Sequence, residues 1–230
     1  MSFARVVLPG RTHRLIASRF PTVGVFDDIA EGEDELRVAF LLENLTNPRS
    51  QARLAALPAG ELAAGPSGSI VMAAFLHASD EGGRFNDGEL GAWFASGDLP
   101  TAFAETAHHH ERRLRASAAG FPARIQMRQL SARTKAKLLD LRGARESRPE
   151  LYDLDDYSAA QAFARERRWP YADPSEDGLV FQSVRHPGGI NICLFRPKAI
   201  ALPVAQGDHY EYVWNGSGAL SIVKLTLVRR

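Results

Sequence analysis

The sequence predicts an α+β fold, a mixed or antiparallel sheet with flanking helices, and three observations carry that prediction. Short apolar runs with strand character lie near the amino terminus and dominate the last quarter of the chain. Stretches with helical periodicity fall between them. No regular strand-helix alternation of the kind that builds a doubly wound parallel sheet runs through the sequence. At 230 residues, 45% hydrophobic and 24% charged, the chain holds the apolar material for one compact domain, and residues 1–230 are read as one.

Residues 3–8 and 12–17 read as extended segments about a Pro9-Gly10 turn, with Arg14 on the second. Leu36, Phe40, Leu41 and Leu45 recur at helical spacing over Glu35–Leu45, and Asn47-Pro48 closes that helix. A short helix over Ser50–Leu57 leads into a loop rich in glycine and proline. The continuous apolar run Ile70–His77, bounded by glycines and acids, has the pattern of a buried strand.

The stretch that follows organises the chain. A glycine-punctuated loop carries Arg84 and Asn86, a short apolar strand spans Ala92–Ala95, and a helix starts near Asp98. The Asp98 side chain can cap free backbone amides, and Pro100 suits the first helical turn. A loop, strand and helix in that order bring Arg84 and Glu105 together in space. Further on, Ala123–Gln129 alternates Ile125 and Met127 with Arg124 and Arg128, as a half-exposed strand does, and Lys137–Arg142 is a second short candidate. Asp155 or Asp156 caps a helix containing Ala159, Ala160, Phe163 and Ala164 that ends near Trp169-Pro170. Four strands close the chain: Gly178–Val184, Ile190–Arg196, His209–Trp214 and Ala219–Val228.

With 28 basic and 27 acidic residues spread along the chain, the net charge of +1 argues against a dedicated nucleic-acid or membrane surface. Cys193 is the only cysteine and lies in an apolar run, so it reads as a buried structural thiol in a reducing compartment. The segment Met1–Pro21 has no secretory pattern, and no stretch approaches the roughly 18 apolar residues of a membrane span. A soluble, cytoplasmic protein is expected.

Few residues carry chemistry. Arg84 sits where backbone amides and a planar guanidinium could hold a phosphate or diphosphate, or where a turn simply solvates an arginine. Glu105 lies among Thr101, Ala102, Phe103, Ala104 and Ala107, a face too apolar for a merely solvated acid. The three successive histidines His108, His109 and His110 point in three directions and lack the i, i+4 pairing of a helical zinc site, so no metal is expected. Neither a phosphate-binding P-loop, a dinucleotide fingerprint nor a Gly-x-Ser-x-Gly elbow is present. Ser183 is either a sheet hydroxyl bonded to backbone or a ligand contact.

Taken together, His13-Arg14, Gly83-Arg84-Phe85-Asn86, the strand Ala92-Trp93-Phe94-Ala95, Glu105 behind it, and Ser183 with Asn191 resemble the RES domain family. The resemblance covers about residues 12–200, strongest at 82–107, and leaves 30–70 and 140–175 as atypical insertions that could cover a pocket, bind a target protein or form a homodimer surface. It implies a fold like that of the ADP-ribosyltransferase toxins. It also implies a toxin of a toxin-antitoxin pair, with NAD+ as substrate and an Xre-type helix-turn-helix antitoxin as partner. The implied reaction is cleavage of the nicotinamide-ribose bond by hydrolysis or phosphorolysis, with inorganic phosphate as co-substrate in the second case. Transfer of ADP-ribose to a cellular protein and a catalytically inactive interaction module are the alternatives. Under this resemblance Glu105 serves the ribose hydroxyls and the oxocarbenium, Arg14 and Arg84 the diphosphate, and Trp93 the nicotinamide ring. Ser183 orients the ribose or amide, and Asn86 and Asn191 brace the loops. Two departures stand out: His13 and Trp93 occupy positions where the family usually carries tyrosine.

Overall fold

The apolar patterns resolve into strands that join one sheet. A computed structural model describes residues 3–20, 26–45, 47–226 and 228; Met1, Pro21 and Leu227, which fall within segments read above, lie outside them. In chain order the strands are β1 (Arg5–Val6), β2 (Thr12–Ala17), β3 (Trp93–Ser96), β4 (Ala123–Ala132), β5 (Leu138–Asp140), β6 (Gly178–Gln182), β7 (Ile190–Leu194), β8 (Ala205–Trp214) and β9 (Leu220–Leu225). The helices are α1 (Glu33–Glu43), α2 (Pro48–Ala56), α3 (Gly68–Leu76), α4 (Leu99–Ala116) and α5 (Ser158–Arg165). The sheet order is β1-β5-β6-β7-β3-β2-β4-β8-β9, antiparallel except for the β5–β6 pair. The expected mixed sheet with flanking helices is therefore observed.

Helices cover both faces. Leu36 and Phe40 of α1, Leu54 of α2 and Val71, Met72 and Phe75 of α3 pack with Trp93, Ala95 and Leu130 on one side of the sheet. On the other side α4 sets Ala102 and Ala107 against Leu15, Met127 and Tyr212, while α5 sets Ala160 and Phe163 against Leu179 and Cys193. No helix among the described residues is long and apolar enough to cross a membrane.

The run Ile70–His77 corrects the expectation of a strand, for residues 70–76 belong to α3 and His77 caps it. A helix buried nearly all round shows no amphipathic period, and an unbroken apolar run fits it as well as it fits a buried strand. Helix α4 forms as its signals predict: Asp98 accepts the Thr101 N–H at 2.8 Å and Pro100 lies in the first turn. Helix α5 begins at Ser158, and Asp156 accepts the Ser158 N–H at 2.8 Å.

The feature that positions the site is a split in the sheet. Strand β2 pairs with β4 over its whole length, from Thr12 opposite Ala132 to Ala17 opposite Met127. With β3 it pairs only at His13 opposite Ser96. Beyond that point the two strands diverge, and a cleft opens between them with α4 on one side and α1 and α3 on the other.

Candidate active site

The cleft is a cavity of about 770 Å³, within the roughly 300–1,000 Å³ range of small-molecule sites. Glu105 lines it from the second turn of α4. Its Oε1 accepts the Ser183 hydroxyl and the Asn191 Nδ2–H, each at 2.6 Å. Asn191 is fixed in turn by Ser96, whose hydroxyl donates to Asn191 Oδ1 at 2.7 Å. These two face each other because the β3–β7 register sets Ser96 opposite Asn191, so their side chains share one face of the sheet. Ser183 accepts the backbone N–H groups of Arg185 and His186 at 3.0 and 2.9 Å, which orients its proton toward Glu105. The backbone-bonded reading of Ser183 is thus realised, and its hydroxyl also meets the acid. Among the described residues Glu105 Oε2 has no hydrogen-bond partner.

The hairpin that carries Ser183 and Asn191 sits tightly on α4. Thr101 Oγ1 lies 2.9 Å from His186 Nδ1, and a Cβ on Gly189 would come within 2.4 Å of the same hydroxyl. Glycine is what lets the hairpin approach close enough for Ser183 to reach Glu105.

Arg84 stands across the cavity in a tight turn closed by the Gly83 N–H to Asn86 O bond at 2.8 Å. Gly82 makes the turn possible, with φ of +71° and a hypothetical Cβ 2.0 Å from Asn86 O. Asn86 braces the loop as expected by donating to Asp87 O and Leu90 O. Arg84 is only 8% exposed, and its guanidinium donates to Leu151 O at 3.0 Å and stacks on Tyr157 at 4.6 Å. Burial lowers its pKa, opposed by the phenol of Tyr157 and the carboxylate of Glu105. The expected proximity of Arg84 and Glu105 is therefore realised.

Arg14 also lines the cavity, yet it is engaged within the fold. Its guanidinium donates to Phe94 O at 2.9 Å and stacks over Trp93 at 4.9 Å, bridging the gap where β2 and β3 part. Burial lowers its pKa to about 10, so it stays charged at neutral pH. His13, on the cavity wall, lies 3.0 Å from Gln129 Nε2 through its Nδ1. Trp93 corrects the expectation of a nicotinamide stack: it is 1% exposed and packed in the core against α1 and α3. Side chains alternate along a strand, so the neighbouring Phe94 meets the cavity instead.

Residues to which the sequence assigned no binding role complete the site. Tyr157 and Phe94 present aromatic surface to the cavity, and His109, His110 and Arg113 extend its wall along α4. His109 and Arg113 follow the i, i+4, i+8 row that starts at Glu105, a signal available in the sequence, and His110 lies beside it. Tyr157 comes from a segment whose packing nothing local specifies. Burial and the charge of Arg113 depress the pKa of both His109 and His110 to about 4, leaving them neutral at pH 7. Cys193 is buried, and burial pushes its thiol pKa up, so it is no nucleophile. Among the described residues no group of three or more His, Cys, Asp or Glu is arranged to hold a metal ion.

The segments expected to be insertions hold the loop. Arg53 of α2 donates to Gly88 O and Leu76 O, and Arg168 beyond α5 donates to Leu90 O and Gly91 O at 3.0 and 2.9 Å. Gln161 of α5 donates to Glu81 O and Gly83 O. Every backbone carbonyl so bound belongs to the loop that carries Arg84 or to its flanks.

A family model described as RES domain matches residues 60–215. A protein of Sinorhizobium fredii (strain NBRC 101917 / NGR234) named "Uncharacterized protein y4oC" is 28% identical over 216 residues, 92% of this chain and 86% of that protein. Among solved structures, a chain of the M. tuberculosis MbcT-MbcA toxin-antitoxin complex superposes with a TM-score of 0.46 at 13% identity, covering 90% of this chain and 86% of that one. The matched segment contains the Arg84 turn, β3, Glu105, Ser183 and Asn191, the residues that the fold gathers around the cleft. It spans well over half of the sequence, and this chain belongs to the RES domain family.

Proposed function

We propose that the chain is an NAD+-consuming enzyme that cleaves the nicotinamide-ribose bond, with Glu105 at its centre. One observation carries the reading. A carboxylate fixed through one oxygen by Ser183 and Asn191, with its other oxygen unpartnered among the described residues, stands in a cavity with Arg14 and Arg84. Fixed negative charge is what an oxocarbenium-like transition state requires.

In this reading the C1′–N bond breaks, and nicotinamide leaves as a neutral ring with the bonding pair. Positive charge passes to the ribose C1′ and ring oxygen, where Glu105 stabilises it. The oxygen of water or orthophosphate then bonds to C1′, giving ADP-ribose or its 1″-phosphate, and a water nucleophile releases its proton to solvent. Arg84 and Arg14 retain donors beyond those used within the fold and would receive the diphosphate or the attacking phosphate. Phe94 and Tyr157 offer the stacking surface that Trp93 does not. The family resemblance extends the proposal to a toxin restrained by a helix-turn-helix antitoxin.

The test is to incubate the purified protein with NAD+, with and without inorganic phosphate, and identify products by mass spectrometry. Free nicotinamide with ADP-ribose, or with a phosphorylated ADP-ribose that appears only when phosphate is added, is the expected result. Intact NAD+ alongside an ADP-ribosylated protein in added lysate would move the activity to protein modification. Intact NAD+ with no modified protein would overturn the proposal.

A further inference from the structure

We propose that Arg19, His110 and Arg113 form a second anion subsite in the cavity, which receives a phosphate monoester at the far end of the substrate and makes a 2′-phosphorylated dinucleotide such as NADP+ an acceptable substrate. The inference rests on the reading of the cavity as a dinucleotide site. All three side chains line that cavity, Arg19 from just beyond β2 and the other two from α4. Neither arginine has an acidic partner within ion-pair distance among the described residues. Arg165 at the end of α5 differs, being paired with Asp87 and Glu89. Two arginines without acids, converging on one histidine at a cavity wall, raise the local potential and favour a bound anion there. Both arginines act on His110, whose proton affinity falls as a result of burial first and their charge second.

Position separates this subsite from the reacting centre. Arg113 follows Glu105 by eight residues on one helix, a rise of about 12 Å at 1.5 Å per residue. An anion at Arg113 is therefore too far from a ribose held at Glu105 to act as the attacking phosphate. It matches a group that the substrate itself carries beyond its diphosphate. In a dinucleotide that place is the adenosine ribose, whose 2′-hydroxyl bears the phosphate in NADP+. His110, neutral when the cavity is empty, can take up a proton as the dianion arrives and then donate a hydrogen bond to it.

Two measurements decide the matter. In the first, kcat/KM is determined for NADP+ and NAD+ with the native chain and with the double variant Arg19→Gln/Arg113→Gln, both substitutions being on exposed residues. The ratio of NADP+ to NAD+ efficiency is expected to drop at least tenfold in the variant. An unchanged ratio overturns the subsite, whether both efficiencies fall together or neither moves. In the second, the titration of His110 is followed by NMR with NADP+, NAD+ or inorganic phosphate present. NADP+ alone is expected to raise its pKa. An equal rise with inorganic phosphate would assign the cluster to free phosphate, and no rise with any of the three would leave it a solvated surface; either result overturns the proposal. If the native chain turns over neither dinucleotide, the proposed reaction fails by itself, and the His110 titration still decides the subsite.

Discussion

The two ends of the cavity are built in opposite ways. Around Glu105 the polar side chains answer one another: Ser96 holds Asn191, Asn191 and Ser183 hold Glu105, and two backbone amides hold Ser183. Around His110 the charged groups meet no opposite charge: Arg19 lies over the Phe20 ring at 5.2 Å, and neither it nor Arg113 has an acid within ion-pair distance among the described residues. The difference teaches which end is preorganised and which awaits a ligand. A fixed carboxylate needs no reorganisation when charge develops on a ribose, and that is where electrostatic catalysis is strongest. Unpaired surface cations add little to stability when the cavity is empty and gain their value only when an anion arrives.

The largest effect comes from breaking the preorganised end. Glu105→Gln keeps the size of the side chain and removes its charge, so NAD+ turnover is expected to fall by about 10³-fold, the scale of losing one electrostatic stabiliser of the transition state. Thermal unfolding should be nearly unchanged, because Asn191 and Ser183 can still donate to the amide oxygen. Retained turnover would remove Glu105 from the mechanism.

Next in size is a change that leaves both ends of the cavity intact and loosens the frame between them. Arg168 is 1% exposed, donates to Leu90 O and Gly91 O, and stacks on Phe195 at 5.0 Å. Replacing it by leucine leaves Gly91 O without this donor and Leu90 O with Asn86 alone, a loss of about 3 kcal/mol in stability. Denaturant unfolding measures this directly. A loss under about 1 kcal/mol would mean that the loop does not depend on the guanidinium.

Ser183→Ala is expected to reduce kcat by about tenfold, roughly the 1.4 kcal/mol of a hydrogen bond to a charged group, with KM little changed. As a positioning residue Ser183 should be partly replaceable by threonine, whose hydroxyl can repeat the bond to Glu105 Oε1. Failure of Ser183→Thr to recover any rate, in a variant that folds normally, would show that the hydroxyl touches the substrate rather than the acid alone.

Much of the frame was legible because its signals are local. Asp98 and Pro100 start α4 within one turn, the glycines of the 82–83 turn mark where Arg84 must project, and alternating Ile125 and Met127 mark β4. The order of loop, strand and helix was enough to bring Arg84 and Glu105 to one cleft, whereas Ser183 and Asn191 entered only through the family resemblance. What escaped depends on tertiary context. The run Ile70–His77 became a helix because burial on all sides erases the period that separates the two structures. Trp93 and Phe94 exchanged roles because alternation fixes which residues share a face without saying which face meets the cleft. The split between β2 and β3, which creates the cavity, depends on a long-range register that no local pattern records.

The smallest predicted effect lies at the unpaired end and is read in stability against pH. His110 is held to a pKa of about 4 by burial, Arg113 and Arg19, while in the unfolded chain it titrates near its ordinary value of 6.5. His109, the more exposed of the two, is lowered in the same direction, and solvent screens more of its share. Between these values the unfolded chain binds the extra proton and the folded chain does not. The stability contribution is therefore complete above about pH 6.5 and is lost as pH falls toward 4. Most carboxylates stay ionised over the upper part of that window, so the slope between pH 6.5 and 5 belongs largely to histidines. Thermal unfolding across that interval should show a falling midpoint that flattens in Arg113→Gln, because removing the positive charge lets His110 take up its proton in the folded state. Equal slopes in the two proteins would mean that Arg113 does not depress His110, and its charge would lose its claim to shape the electrostatics of this end of the cavity.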